Sequence, residues 1–145
     1  MIGLLQRVTE AHVDVNAERV ASIGMGLLVL VGVRPGDDEP SALRLLDRLL
    51  QYRVFADPNG KMNLSLTQVD GDLLLVPQFT LAAETHKGLR PGFSTAAPPD
   101  QGRRLFEALL QAARARHKRV ESGVFGAHMG VSLVNDGPVT FWLES

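Results

Sequence analysis

Hydrophobic and polar positions alternate along Ile2–Val15, with the apolar residues on one parity up to Val8 and on the other from Ala11. Such period-two alternation predicts a β-strand. The change of parity near residues 9–10 predicts a bulge or bend within that strand. Arg7 is the only Lys or Arg in this stretch. It is either a residue on a solvated strand face or a fixed hydrogen-bond donor near a site.

The next apolar runs predict two more strands and a helix. Val20–Ile23 predicts a short strand, and Gly24–Gly26 predicts a hairpin connection after it. The nearly continuous apolar run Leu27–Val33 predicts a central strand that is buried on both faces. Leucines at helical spacing, preceded by acidic residues and a proline, predict a helix over about Pro40–Gln51.

The middle of the chain contains further strands and one long stretch without a period. Val54–Phe55, the alternating run Met62–Leu66 and the apolar run Leu73–Val76 predict strands. Ala82–Pro99 shows no clear period, and loops of this length are usually functional or disordered. A second main helix is predicted over about Asp100–His117.

Two alternating apolar runs, Val131–Val134 and Val139–Leu143, flank an Asn-Asp-Gly-Pro sequence near the end of the chain. The simplest interpretation is a tight turn between two strands. The alternative is that this segment presents its carbonyl oxygens to a ligand. A cis Gly137–Pro138 bond would aim two successive carbonyls the same way, although cis bonds are a minority before proline.

Charge and hydropathy narrow the possible partners. The chain has 15 Lys and Arg against 16 Asp and Glu, and its formal net charge is -1. This balance argues against wholesale coating of nucleic acid or membrane, but it permits binding to one end of an RNA. The longest apolar run, Leu27–Val31, is far too short to span a bilayer. We therefore expect neither DNA nor a membrane as a partner.

Few residues in the sequence are suited to bind a metal or a cofactor. Cysteine is absent, which removes disulfides, thiolate metal sites and cysteine nucleophiles, and fits a reducing cytoplasm. The histidines at positions 12, 86, 117 and 128 have no metal-binding spacing. Gly24–Gly26 lacks the later glycine and the helix of a dinucleotide-binding loop. We expect no metal, no cofactor and a cytoplasmic location.

A few polar residues remain as candidates for a site. Thr80 follows a buried strand and is the most plausible reactive hydroxyl, but no base that would activate it is near in sequence. Strand packing is the alternative for Thr80, and an exposed strand position is the alternative for Gln78. Lys87 and Arg90, held between glycine and proline, suit either phosphate contact or a solvated loop.

Seven segments, taken in order along the chain, together carry a family resemblance. They are Gln6–Val8, Ile23–Val33, Gly60–Ser65, Gln78–Leu81, Lys87–Pro91, Phe125–Ala127 and Asn135–Thr140. Each segment alone is a weak signal, whereas all seven in the correct order form a strong one. In these segments the chain resembles the D-aminoacyl-tRNA deacylase family almost from end to end.

The resemblance implies both the architecture and the reaction. We expect one domain, residues 1–145, of the α/β class (α+β type), with a mostly antiparallel, barrel-like sheet and two main helices. It would act as a homodimer that hydrolyses the ester between a D-amino acid and the 3′ end of tRNA, with glycyl-tRNA as a further substrate. The family's cis Gly-Pro pair, here Gly137 and Pro138, reaches into the partner's pocket. Its carbonyls would hold the α-amino group, and an L side chain would clash.

The same resemblance assigns roles to individual residues. The backbone N–H groups of Phe79 and Thr80 are the expected oxyanion hole, and Gln78 completes the catalytic group. Because no base is evident, we expect Thr80 to shape the pocket while a ribose hydroxyl assists the attacking water. The other assigned residues are substrate-binding or tRNA-binding: Gly137, Pro138, Val139, Arg7, Met129 and Phe125 for the aminoacyl group, and Lys87 and Arg90 for the tRNA.

One residue departs from the family pattern. The chain has Pro77 where the family usually has serine, so no serine nucleophile is available there. A related eukaryotic branch carries proline at this position, together with relaxed chirality. Because the Asn135–Thr140 sequence resembles the strict D-type, we expect selectivity for D residues. A proofreading deacylase of relaxed chirality stays open as an alternative, and so, independently of Pro77, does a dimer that binds RNA ends without catalysis.

Overall fold

The computed structural model describes the whole chain, Met1–Ser145. The strands are β1 (Ile2–Val15), β2 (Glu18–Ile23), β3 (Gly26–Gly32), β4 (Phe55–Ala56), β5 (Met62–Leu64), β6 (Asp72–Pro77), β7 (Val120–Ser122) and β8 (Gly130–Glu144). The helices are α1 (Glu39–Gln51), α2 (Leu66–Val69), the 3₁₀ helix Phe79–Ala82 and α3 (Pro99–Arg116).

The long strand β1 is the axis of the sheet. On one side it pairs antiparallel with β8, and on the other it pairs antiparallel first with β3 and then with β2. The register with β8 shifts between Val8 and Glu10, which confirms the bend predicted there.

The prediction of a hairpin at Gly24–Gly26 is wrong. β2 and β3 do not pair with each other, because both lie end to end along β1. The hairpin is instead the β1–β2 turn at Asn16 and Ala17, whose φ values are 50° and 62°. Positive φ at both central residues matches the right-handed twist of the flanking strands.

The rest of the sheet continues through β3 in parallel pairings with β6 and then β7. β2 comes back into contact with β6 and β7, so the sheet curls into a nearly closed barrel. Three of the main sheet's pairings are antiparallel and two are parallel. The prediction of a single α+β domain with a mostly antiparallel, barrel-like sheet is confirmed.

Buried side chains lie on both faces of this sheet. Inside the barrel, a small cluster includes Val8, Leu28 and Leu74. Outside it, a larger cluster joins the sheet to α1 and α3 and includes Leu27 and Leu73. Neighbouring residues of β3 and of β6 thus face opposite cores, which confirms that the run beginning at Leu27 is a central strand buried on both faces.

The two main helices begin and end close to their predicted limits. α1 starts with a capping box in which Asp38 and Ser41 satisfy each other's backbone N–H groups. The strand predicted over Met62–Leu66 is wrong at its end, because Leu66 begins the short helix α2. Ser65 and Gln68 form a second capping box there. None of the helices is both long and apolar enough to cross a membrane.

The tight turn predicted between two C-terminal strands is also wrong. β8 is one strand, and both of its halves pair with β1 in the same direction. Asn135 is opposite Val8 and Thr140 is opposite Gln6, so the four residues 136–139 face the single residue Arg7. They form an outward bulge in the strand, which we call the β8 bulge.

Candidate functional site

A cavity of about 600 Å³ opens where the parallel strands β3 and β6 end. Val31 and Pro77 lie at the strand ends, and Ala97 and Gly102 lie before and at the start of α3. The segment that leads into β8 closes the far side. Most of the residues that line the cavity are hydrophobic, as is typical of small-ligand sites.

Of the three predicted catalytic residues, Gln78 and Phe79 line this cavity, whereas Thr80 follows them and does not. The backbone N–H of Gln78 donates to the Val31 carbonyl at 2.7 Å. The Gln78 side-chain amide donates to the Thr80 hydroxyl oxygen. Phe79 and Thr80 open the 3₁₀ helix, and the first N–H groups of such a helix have no partner within it.

No general base accompanies Thr80. Its hydroxyl is exposed, and the hydrogen bond from Gln78 is the only side-chain hydrogen bond that it makes. A threonine hydroxyl at its normal acidity is a weak nucleophile without an adjacent base. The site therefore offers hydrogen-bond donors and a bound hydroxyl rather than an activated nucleophile.

Aromatic and sulfur-containing side chains form the other walls. Phe79 packs against Phe93 with 5.2 Å between the ring centroids, and Phe93 also lines the cavity. Phe125 and Met129 also line the cavity, and the Met129 sulfur accepts a hydrogen bond from the Val124 backbone N–H at 3.3 Å. The structure thus brings together four predicted residues: Gln78, Phe79, Phe125 and Met129.

The β8 bulge is held by side chains on both of its flanks. Arg7 donates through Nε to the Asp136 carbonyl at 3.1 Å and through Nη1 to the Val54 carbonyl at 2.6 Å. Asn135 accepts from the Val139 backbone N–H at 2.7 Å and donates to the Thr140 hydroxyl at 2.8 Å. Arg7 is therefore a fixed donor, as one of the two interpretations of this residue proposed.

The centre of the bulge accommodates only glycine comfortably. The Gly137–Pro138 peptide bond is cis, and the φ of Gly137 is 129°. A Cβ atom at Gly137 would lie 2.8 Å from Val139 Cγ2 and 3.1 Å from Arg7 Nη2. Residues with a side chain rarely adopt this φ, and the space for one is already filled.

The bulge does not face the cavity of its own chain. Arg7, Gly137, Pro138 and Val139 are all absent from the cavity wall. Gly137 and Pro138 are exposed, whereas the Val139 side chain is buried in the larger core. The residues predicted for substrate binding thus fall into two groups, one on the wall and one on the bulge.

The predicted tRNA contacts lie on an exposed loop. Glu84 and Gly92 pair through their backbones and close the loop that carries Lys87 and Arg90. Neither cation has a carboxylate partner, and Phe93 of the cavity wall follows the loop directly. By contrast, Arg116 and Arg119 at the basic end of α3 pair with Asp47 and Asp72, so protein structure accounts for these two cations.

Sequence reasoning missed three residues at the cavity. Phe93 ends the long loop, His128 lines the wall, and Arg103 lies against Phe125. Phe93 was the easiest of the three to predict from the sequence, because an apolar aromatic residue among small polar ones near the end of a long loop suggests a packing role. Arg103 could not be predicted, because its position in the helix is that of an ordinary solvent-exposed residue.

Comparison with known proteins supports a single family. The family model described as D-Tyr-tRNA(Tyr) deacylase matches residues 4–144. A D-aminoacyl-tRNA deacylase from Azotobacter vinelandii is 64% identical over 145 residues, covering 100% of both chains. One from Nitrosococcus oceani is 62% identical over 144 residues, covering 99% of this chain and 93% of the relative.

Solved structures share the fold along the whole chain. A protein named c-Myc DNA Unwinding Element Binding Protein superposes with a TM-score of 0.95 at 36% identity, covering 100% of this chain and 99% of the other. A probable eukaryotic D-amino acid tRNA deacylase superposes with a TM-score of 0.86 at 22% identity, covering 99% and 98%. The second similarity shows the fold alone. On the family match and the full-length relatives, the chain belongs to the D-aminoacyl-tRNA deacylase family, a family of hydrolases.

Proposed function

We propose that this protein hydrolyses the ester bond of D-aminoacyl-tRNA, releasing a free D-amino acid and tRNA. The observation that carries the proposal is the cavity of about 600 Å³ with the start of the 3₁₀ helix at its edge. The cavity is large enough for a nucleoside and has aromatic walls that suit a flat base. The terminal adenosine would occupy it, with the ester carbonyl beside Phe79 and Thr80.

The proposed chemistry is attack by water on the ester carbonyl. Negative charge then develops on the carbonyl oxygen, and the N–H groups of Phe79 and Thr80 would stabilise it. The loss of one such donor typically lowers the rate by about 10²–10³. The bond between the ester carbonyl carbon and the ribose oxygen then breaks, and that oxygen takes up a proton as the tRNA leaves. The adjacent ribose hydroxyl would assist the water, because Thr80 has no base partner.

Selectivity for D residues would come from the β8 bulge of a second subunit. In the proposed homodimer, the Gly137 and Pro138 carbonyls of one protomer bind the α-amino group in the partner's cavity. A rigid backbone at that point leaves no space for an L side chain, while a D side chain points outward. Glycine has no side chain to exclude, so glycyl-tRNA, including tRNA-Ala mischarged with glycine, would also be hydrolysed.

The decisive experiment presents D-Tyr-tRNA and L-Tyr-tRNA to the protein with substrate in large excess. We expect many turnovers on the D ester and hydrolysis of the L ester near the uncatalysed rate. Comparable cleavage of both would favour a deacylase of relaxed chirality, an alternative that Pro77 on the cavity wall keeps open. Release of no more than one equivalent of D-tyrosine per subunit would indicate a dimer that binds RNA ends without catalysis.

Thr80→Val separates the two roles open to Thr80. We expect the variant to keep at least about a tenth of the wild-type single-turnover rate constant, because general-base assistance by the ribose would be unaffected. The measurement is single-turnover hydrolysis of D-Tyr-tRNA, with circular dichroism to show that the variant is folded. A folded variant at background activity would identify the hydroxyl as the nucleophile.

A further inference from the structure

Arg103 lies beside the cavity wall, where its guanidinium contacts an aromatic ring and no carboxylate. The carbon at the centre of its guanidinium is 4.8 Å from the centroid of the Phe125 ring. Its Nη2 atom is 3.7 Å from the point where a Cβ atom of Gly126 would lie. Phe125 and Gly126 both line the cavity, whereas Arg103 is exposed and does not. The guanidinium therefore lies outside the cavity, against two residues of its wall.

The donors of Arg103 are unused within the protein. It forms no salt bridge and donates no side-chain hydrogen bond, although Arg104, the next residue, pairs with Glu39 at 3.4 Å. The contact with Phe125 fixes the guanidinium plane by cation–π attraction, which leaves its edge free. An oriented guanidinium with free N–H groups is suited to bind a phosphate with two parallel hydrogen bonds.

We propose that Arg103 binds the phosphate on the 5′ side of the terminal adenosine. This inference rests on the proposed function, in which the adenosine occupies the cavity. The phosphate is attached to the nucleoside, so it must lie at the opening when the base and ribose are inside. Arg103 then acts as a substrate-positioning residue and gives the site a preference for a nucleotide ester over a nucleoside ester.

The test compares two small substrates that differ only in this phosphate: 3′-O-D-tyrosyl adenosine and 3′-O-D-tyrosyl adenosine 5′-monophosphate. The wild-type protein is expected to have the higher kcat/KM on the phosphorylated ester. Arg103→Gln should lower that preference about three- to fivefold, mainly through KM, as expected for one exposed ion pair. For D-Tyr-tRNA, the slope of log kcat/KM against log salt should become shallower by about 0.7.

Arg104→Gln is the matched control, since it removes a neighbouring charge whose partner is Glu39. It should leave the preference unchanged, and Arg103→Lys should restore part of it. If Arg103→Gln lowers kcat/KM on both esters equally, Arg103 only supports the wall at Phe125 and the inference is wrong. If the wild-type protein hydrolyses neither ester nor D-Tyr-tRNA, the proposed function itself fails.

Discussion

The cavity wall and the β8 bulge are built in opposite ways. The wall combines segments that are distant in sequence, from the end of β3 to the segment before β8, and it encloses space within one chain. The bulge is four consecutive residues that project from a strand paired on one side only. It is nevertheless fixed by hydrogen bonds to Arg7 at 3.1 Å and to Asn135 at 2.7 Å.

This contrast is what the proposed homodimer would explain. The bulge requires glycine at position 137 and is held in place by an arginine, so its backbone conformation is well defined. In this chain the clamped backbone faces outward, away from the cavity of its own subunit. In the proposed homodimer, a bulge that enters the partner's cavity would be matched by the partner's bulge in the first subunit's cavity, because two-fold symmetry repeats every contact.

Gly137→Ala tests this contrast with the largest expected effect. The new Cβ would meet Val139 and Arg7 at 2.8 and 3.1 Å, so the bulge must shift. A displacement of about 1 Å at a positioning group can cost about 10²-fold in rate. We expect kcat/KM on D-Tyr-tRNA to fall by about that factor, and the thermal midpoint to fall as well, because alanine is strained at this φ.

Gly36→Ala is the control for Gly137→Ala, because no atom lies within 4 Å of its added Cβ and its φ is not positive. It should retain wild-type activity. Equal activity of Gly137→Ala and the wild-type protein would show that the bulge has no part in the site.

A mixture of two inactive variants tests whether the halves come from different subunits. Ala127 lines the cavity, so Ala127→Phe should fill it and abolish activity. If Ala127→Phe is co-refolded with an equal amount of Gly137→Ala, half of the dimers are mixed, and one of the two sites in each is intact. We expect recovery to about a quarter of wild-type activity.

Each variant refolded with itself provides the baseline for this mixture. If the mixture stays at the mean of the two baselines, the cavity and the bulge act within one chain, or the bulge does not act. Native mass spectrometry, which separates the mixed dimer from both homodimers by mass, would show that mixed dimers have formed, so that a lack of recovery cannot be due to their absence.

The sequence predicted the cavity wall better than the bulge, for a physical reason. The wall residues Gln78 and Phe79 follow a buried strand whose continuous apolar run is visible in the sequence. The β8 bulge lies between two alternating runs, and that pattern looks the same whether the runs pair with each other or with a common partner. Only the pairing with β1 decides between a turn and a bulge.

Short capped elements were missed for another reason. Met62, Leu64 and Leu66 alternate like a strand, but Ser65 and Gln68 also have the spacing of a capping box. The hydrogen bonds of the capping box end the strand at Ser65 although the apolar alternation continues to Leu66. The capping residues therefore predict the structure here better than the hydrophobic pattern does. Contacts between distant segments, such as Arg103 on Phe125, have no counterpart in local sequence.

A substitution at Glu144, near the end of β8, should have the smallest effect and tests whether the strand end helps to position the bulge. Its carboxylate accepts hydrogen bonds from Arg34 at 2.9 Å and from the Trp142 indole at 2.8 Å. The hydrogen bond from Arg34 is the main reason why the pKa of Glu144 falls from 4.5 to about 2. These contacts fix the end of the strand, whereas Arg7 and Asn135 fix the bulge itself.

Glu144→Gln should therefore alter stability slightly and leave deacylation of D-Tyr-tRNA unchanged. A carboxylate with a lowered folded-state pKa stabilises the protein above its unfolded pKa, and that contribution is lost as the pH falls from about 4.5 toward 2. Because the pair is exposed and screened, we expect less than about 1 kcal/mol at neutral pH. Urea unfolding at several pH values should show this difference narrowing on acidification. A tenfold loss of activity would mean instead that the strand end, and not Arg7 and Asn135, positions the bulge.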